Sequence, residues 1–128
     1  MKALFLLKKK NTSAGSHRRW LVGTGKNKTN MQSFGSSKTF IKGDEIEWEV
    51  VGEGIKRKIL AYDDKVMLVN VHFEKGGIGV LHEHYHSQVT YIASGKFDVT
   101  INGVTQTLKE GDSFYIPPHA IHGVVCLE

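Results

Sequence analysis

Residues Gly76–Gly95 read GGIGVLHEHYHSQVTYIASG, and the fold and the chemistry of the chain both follow from how this stretch is understood. His82, His84, His86 and Gln88 share one parity, so on an extended strand their side chains would stand on a single face. Three imidazoles and a carboxamide make a poor core, because each buried polar group demands a partner. They suit a divalent transition metal instead, for which neutral imidazole is the commonest protein ligand.

The spacing resembles the first motif of the cupin superfamily, G-x5-HxH-x3,4-E-x6-G. Here it runs Gly76, His82-x-His84, Gln88, Gly95, with Gln88 in place of the usual glutamate. Gly111, Pro117 and His122 then resemble the second cupin motif, G-x5-PxG-x2-H-x3-N, with His119 where glycine is usual and Cys126 where asparagine is usual. Within these motifs His82, His84 and His122 read as metal ligands. Gln88 reads as a fourth ligand or as a hydrogen-bonding neighbour.

Outside the motifs, charge divides the chain. Residues 1–30 hold eight of the 17 Lys and Arg and no acid, leaving nine basic against 13 acidic residues over 31–128. The formal net charge of +4 therefore belongs to the leader, while the remainder is acidic. Ala3–Leu7 is shorter than the roughly 7–15 apolar residues of a secretory signal. It is far shorter than the ~20 of a spanning helix. The leader has no sustained period and reads as disordered, with Met31 as a natural start and 31–128 as a single domain. A basic run of this kind is ordinarily a solvated one, so no nucleic-acid or membrane partner is expected. Cys126 stands alone, which suits a reduced, cytoplasmic setting and excludes a disulfide framework.

From Ile46 onward the chain is a series of short strands broken by turns, an all-β pattern without helical period. Asn102-Gly103 is a strong hairpin signal, because a type I′ turn needs positive φ at both central residues. Folding about it pairs Ile101 with Val104, Val99 with Gln106 and Phe97 with Leu108 on one face. Asp98, Thr100, Thr105 and Thr107 take the other. The polar Gln106 on that apolar face either lines a cavity or bonds to a strand neighbour. Many short strands at regular spacing imply a sandwich or barrel, and cupins are jelly rolls of this kind. Ile121–Leu127 is the last strand, and a C-terminal partner strand is expected beyond it, so it should fray.

About residues 40–128, through GIKRKILAYDDKVMLVNVHFEKGGIG, HEHYHSQVTYIASGKFDVTINGV and GDSFYIPPHAIHGVVCLE, are similar to the small single-domain cupins of the KdgF (pectin degradation protein) family. The resemblance implies ring opening of 4,5-unsaturated uronates to 5-keto-4-deoxyuronate. It implies a metal held by three His and one Gln, here His82, His84, Gln88 and His122, and a homodimer. The expected cofactor is one divalent transition metal ion, Ni, Zn, Mn, Fe or Co, and the expected partner a small anionic sugar. The family's acid–base carboxylate is expected beyond Glu128, leaving the catalytic residue unnamed. His86, Gln106, Tyr115 and His119 are candidates for touching substrate. His86 sits where the chain should turn and faces the cavity mouth or water, with water favoured. His119 reads as a rim or solvated loop residue. Cupins also include dioxygenases, sugar isomerases and non-catalytic sugar-binding modules, and fold alone does not choose among them.

Overall fold

A computed structural model describes residues 2–8 and 35–128. Its strands are β1 (Lys2–Lys8), β2 (Glu49–Gly52), β3 (Ile55–Tyr62), β4 (Val66–Phe73), β5 (Ile78–His82), β6 (Ser87–Ile92), β7 (Lys96–Ile101), β8 (Val104–Lys109), β9 (Ser113–Ile116) and β10 (His122–Cys126). Gly43–Glu45 adds one turn of 3-10 helix. The strands form two antiparallel sheets, β2-β3-β4-β1-β6-β9 and β5-β10-β7-β8. This is the jelly-roll layout expected of the sequence.

Alternation builds the core. In β4 every second residue is buried, so Met67, Val69, Val71 and Phe73 point inward from the larger sheet. Phe97, Val99 and Cys126 meet them from the smaller one, with Phe73 and Phe97 edge to face at 5.3 Å. Cys126 is thus a small apolar core residue, and burial pushes its thiol pKa up.

The Asn102-Gly103 hairpin has the expected register: Ile101 faces Val104, Val99 faces Gln106 and Phe97 faces Leu108. Both turn residues have positive φ, 49° and 80°. On the outer face Thr107 donates to Asp98 at 2.6 Å and the Thr100 and Thr105 hydroxyls lie 2.8 Å apart. The hairpin tip also holds the approach to β10, since Asn102 N–H donates to Ile121 O at 2.8 Å and Asn102 Oδ1 accepts from Ile121 N–H at 3.2 Å.

Two expectations are corrected. Lys2–Lys8 was read as part of a structureless leader, yet its backbone forms β1, paired with β4 on one side and β6 on the other. A run of seven residues is too short to signal or span but long enough to fill one slot in a sheet. The remainder of the leader, His17 included, lies outside the described residues. The last strand also does not lack partners: β10 pairs with β5 along one edge and with β7 along the other. Its ladder groups are therefore engaged, and the argument for fraying falls.

Candidate metal centre

Three elements from both sheets deliver the site. His82 closes β5 and His122 opens β10, and the two are direct cross-strand partners. His84 follows in the segment between β5 and β6, which carries the chain from the smaller sheet to the larger. Gln88 stands near the start of β6. His82, His84 and Gln88 therefore do not share one strand face, as their parity suggested. They converge because the chain changes sheets between His82 and Gln88.

The ring nitrogens of His82, His84 and His122 include one from each that all lie within 4.8 Å of one another, a group that can hold a metal ion. Ring centroids are 4.3 Å apart for His82–His122, 4.7 Å for His84–His122 and 5.7 Å for His82–His84. Each Nδ1 is tied to a backbone carbonyl at 2.8 Å: His82 to Val80, His84 to His86 and His122 to Ala120. A neutral imidazole that donates from Nδ1 carries its lone pair on Nε2, so these carbonyls set the tautomer that metal binding requires.

Two details test whether a cation fits. The Nε2 of His122 is buried and has no hydrogen-bond partner among the described residues. An orphaned buried acceptor is costly unless something outside the protein meets it. Gln88 then donates from its amide nitrogen to Thr90 Oγ1 at 3.1 Å, which turns its Oε1 toward His84 Nε2 at 3.0 Å. With His84 Nδ1 donating to His86 O, two lone-pair atoms face each other across that gap. A shared cation turns this repulsion into coordination. The residues fit a metal.

Burial keeps the His84 and His122 imidazoles neutral. His84 and His122 are 8% and 4% exposed, and Gln88 is 7% exposed. Desolvation is the main cause that lowers the His84 pKa, and it pushes His122 down to about 4, assisted by the neighbouring His82 and His84. Both are free to donate a lone pair at neutral pH.

The cluster opens into a cavity of about 770 Å³ that runs between the sheets. Its wall includes His86, Glu53, Glu83, Arg57 and the core side chains Met67, Val69, Val71 and Phe73. His86 is not in water: it is buried, its ring stacked on His84 at 3.9 Å and 1°. The other sequence candidates stand elsewhere. Gln106 is exposed on β8 and lines a separate apolar hollow with Val99, Ile101, Val104, Leu108 and Phe114. Tyr115 is 57% exposed on β9. His119 is exposed at φ 66°, and its N–H donates to His84 O at 2.7 Å, so its backbone braces the ligand loop. His72 lies against Glu74 at 3.2 Å and apart from the cavity wall.

Sequence reasoning missed Thr90 and Arg57. Thr90 shares the parity of Gln88 and could have been found from that alone. Arg57 falls between Ile55 and Ile59 at one parity, the signal of a cation on a core-facing strand face.

Comparison with known proteins agrees with this fold. The cupin domain family matches residues 69–128. The pectin degradation protein KdgF of Dickeya dadantii is 49% identical over 86 residues, covering 66% of this chain and 78% of that protein. The structure of KdgF from a Halomonas species superposes with a TM-score of 0.69 at 39% identity, covering 72% of this chain and 84% of that one. An RmlC-like cupin from Shewanella frigidimarina gives the same TM-score at 44% identity, over 71% and 82% of the two chains.

Proposed function

The chain belongs to the family of the pectin degradation protein KdgF, and from this premise we propose that it opens the ring of 4,5-unsaturated uronates, giving 5-keto-4-deoxyuronate. The observation that carries the reading is the neutral donor set, three imidazoles and one carboxamide around a point where a cation is wanted. We assign His82, His84, Gln88 and His122 as ligands of one divalent transition metal ion, Ni, Zn, Mn, Fe or Co. Such a metal keeps its full positive charge and supplies Lewis acidity toward oxygen atoms of an anionic sugar.

The chain's own residues prepare the reaction. Val80, His86 and Ala120 hold each ligand ring in one tautomer through their carbonyls. Thr90 aims the Gln88 oxygen. The apolar wall of Met67, Val69, Val71 and Phe73 restricts water around the sugar, strengthening every charge interaction there. Ring opening moves a proton from the hemiacetal hydroxyl to carbon 4, which calls for an acid–base group within reach of both. Substrate contact is assigned to His86 on the cavity wall.

The protein acts as a homodimer in the cytoplasm. Val89 and Tyr91 on β6 and Tyr115 opposite Val89 on β9 are exposed, an apolar patch suited to self-association. Among the described residues no helix is long and apolar enough to cross a membrane. The deciding experiment supplies a lyase-made unsaturated uronate to the metal-loaded protein and follows its ultraviolet absorbance. Loss of the conjugated alkene, with a linear keto product by NMR, is expected; unchanged absorbance at high protein concentration contradicts the reading. Oxygen consumption with iron bound would point instead to a dioxygenase.

A further inference from the structure

The loop that delivers His122 is held by a residue at the tip of the β7–β8 hairpin. Pairing between β7 and β10 ends with Ile101 opposite His122. One residue further on, Asn102 enters the turn at φ 49°. Its N–H still donates to Ile121 O at 2.8 Å, one half of the pair of bonds that opposed residues exchange in an antiparallel ladder. The other half comes from the side chain, since Ile121 N–H donates to Asn102 Oδ1 at 3.2 Å. The carboxamide thus stands where the backbone carbonyl of a longer strand would. A turn of this kind asks only for positive φ, which glycine supplies as well as asparagine. It does not explain the carboxamide.

The peptide unit held in this way bears on the metal centre. Ile121 N–H and Ala120 C=O belong to one planar trans peptide and point in opposite directions. Asn102 Oδ1 meets the N–H end, and His122 Nδ1 donates to the carbonyl end at 2.8 Å. The second bond keeps the ring proton on Nδ1 and leaves the lone pair on Nε2, the buried atom without a partner among the described residues. For His82 the corresponding carbonyl is that of Val80, which β5 holds by strand pairing. Ala120 and Ile121 lie outside the strands, so their peptide needs another support. Hydrogen bonds in series also polarise one another, so an acceptor on the N–H makes the carbonyl a better acceptor.

We propose that Asn102 is a positioning residue of the metal centre: its side-chain oxygen orients the Ala120–Ile121 peptide, and that peptide holds His122 in the tautomer that binds metal. The inference rests on the assignment of His122 as a ligand and adds a residue outside the cavity that sets its strength. Asn102 and Ile121 are both exposed. Water can therefore satisfy Ile121 N–H when the carboxamide is removed, and what is lost is direction more than stability.

Two variants separate the turn from the acceptor. Asn102→Gly keeps the left-handed turn and removes the oxygen, whereas Asn102→Asp keeps both. Zn ions are titrated by calorimetry into metal-free protein, and the tautomer of the His122 ring is read in the same metal-free protein by nitrogen NMR at neutral pH. Asn102→Gly is expected to weaken Zn binding about three- to tenfold, the low end for groups that orient a ligand from outside it. Its His122 should pass from a single Nδ1–H tautomer to a mixture, with little change in thermal midpoint. Asn102→Asp should match or exceed wild type in both readouts. If Asn102→Gly fails to fold, Asn102→Asp decides, because an affinity below wild type contradicts the relay. Unchanged Zn affinity and tautomer in Asn102→Gly, or an Asn102→Asp variant as weak as Asn102→Gly, overturns the proposal. Wild type that binds no Zn removes the ligand assignment instead, and the tautomer comparison then decides the proposal alone.

Discussion

A single carboxamide changes the electrostatics of this site. Where the usual cupin motif has a glutamate, Gln88 contributes no charge, so the full field of a divalent ion held here would reach a ligand. Gln88→Glu is expected to retain metal, because a carboxylate coordinates at least as well, while kcat/KM for unsaturated uronate falls about tenfold. Unchanged kinetics would remove any role for neutrality. His122 carries a second expectation, for the metal-free protein. In the fold its pKa is about 4 against an ordinary 6.5, so between those values the unfolded chain holds a proton that the fold refuses. Stability is thus complete above about pH 6.5 and declines as pH falls toward 4. Thermal midpoints of metal-free protein across that range should show the decline, and His122→Gln should flatten it. At this scale the sequence was informative: the two motifs located the three histidines that the fold gathers and the Gln88 that meets His84. The tautomer locks at Val80, His86 and Ala120 were not legible, because backbone carbonyls carry no residue signature.

Among the elements, the β5–β10 pair sets the distance between His82 and His122. Gly123 follows His122, and a Cβ there would lie 2.7 Å from Gly79 O and 3.1 Å from a Leu81 methyl. The close approach of the two backbones is what brings the rings to 4.3 Å. Gly123→Ala should force the strands apart, costing about 1–3 kcal/mol as overpacking does, and should weaken metal affinity along with it. A variant with unchanged melting temperature and metal affinity would show that this approach does not position the ligands. The β7–β8 hairpin was fully legible, since a two-residue turn and a period of two fix register together. The burial of His86 was not: a turn residue is ordinarily solvated, and here stacking on His84 draws it inward. Arg57 was not singled out, although its strand parity with Ile55 and Ile59 points to the core.

For the whole molecule, the two sheets and the cavity between them follow from alternation and turn chemistry, and the jelly roll was expected on those grounds. The slot between β4 and β6 was not, because nothing in Lys2–Lys8 announces a strand, and its partners lie more than fifty residues away. A chain beginning at Met31 would leave the facing edges of β4 and β6 without a ladder partner. It should melt at lower temperature and aggregate more readily than the full chain, by scanning calorimetry and light scattering. Equal stability of the two would place the fold wholly within 31–128, as the sequence alone suggested. The central claim concerns the metal. Divalent ion titrated into metal-free protein, with binding and loss of the unsaturated uronate followed together, tests it most directly. The expected result is that both saturate together near one ion per chain, and that His84→Ala loses both. Full turnover without metal, or undiminished ion binding by His84→Ala, would contradict it.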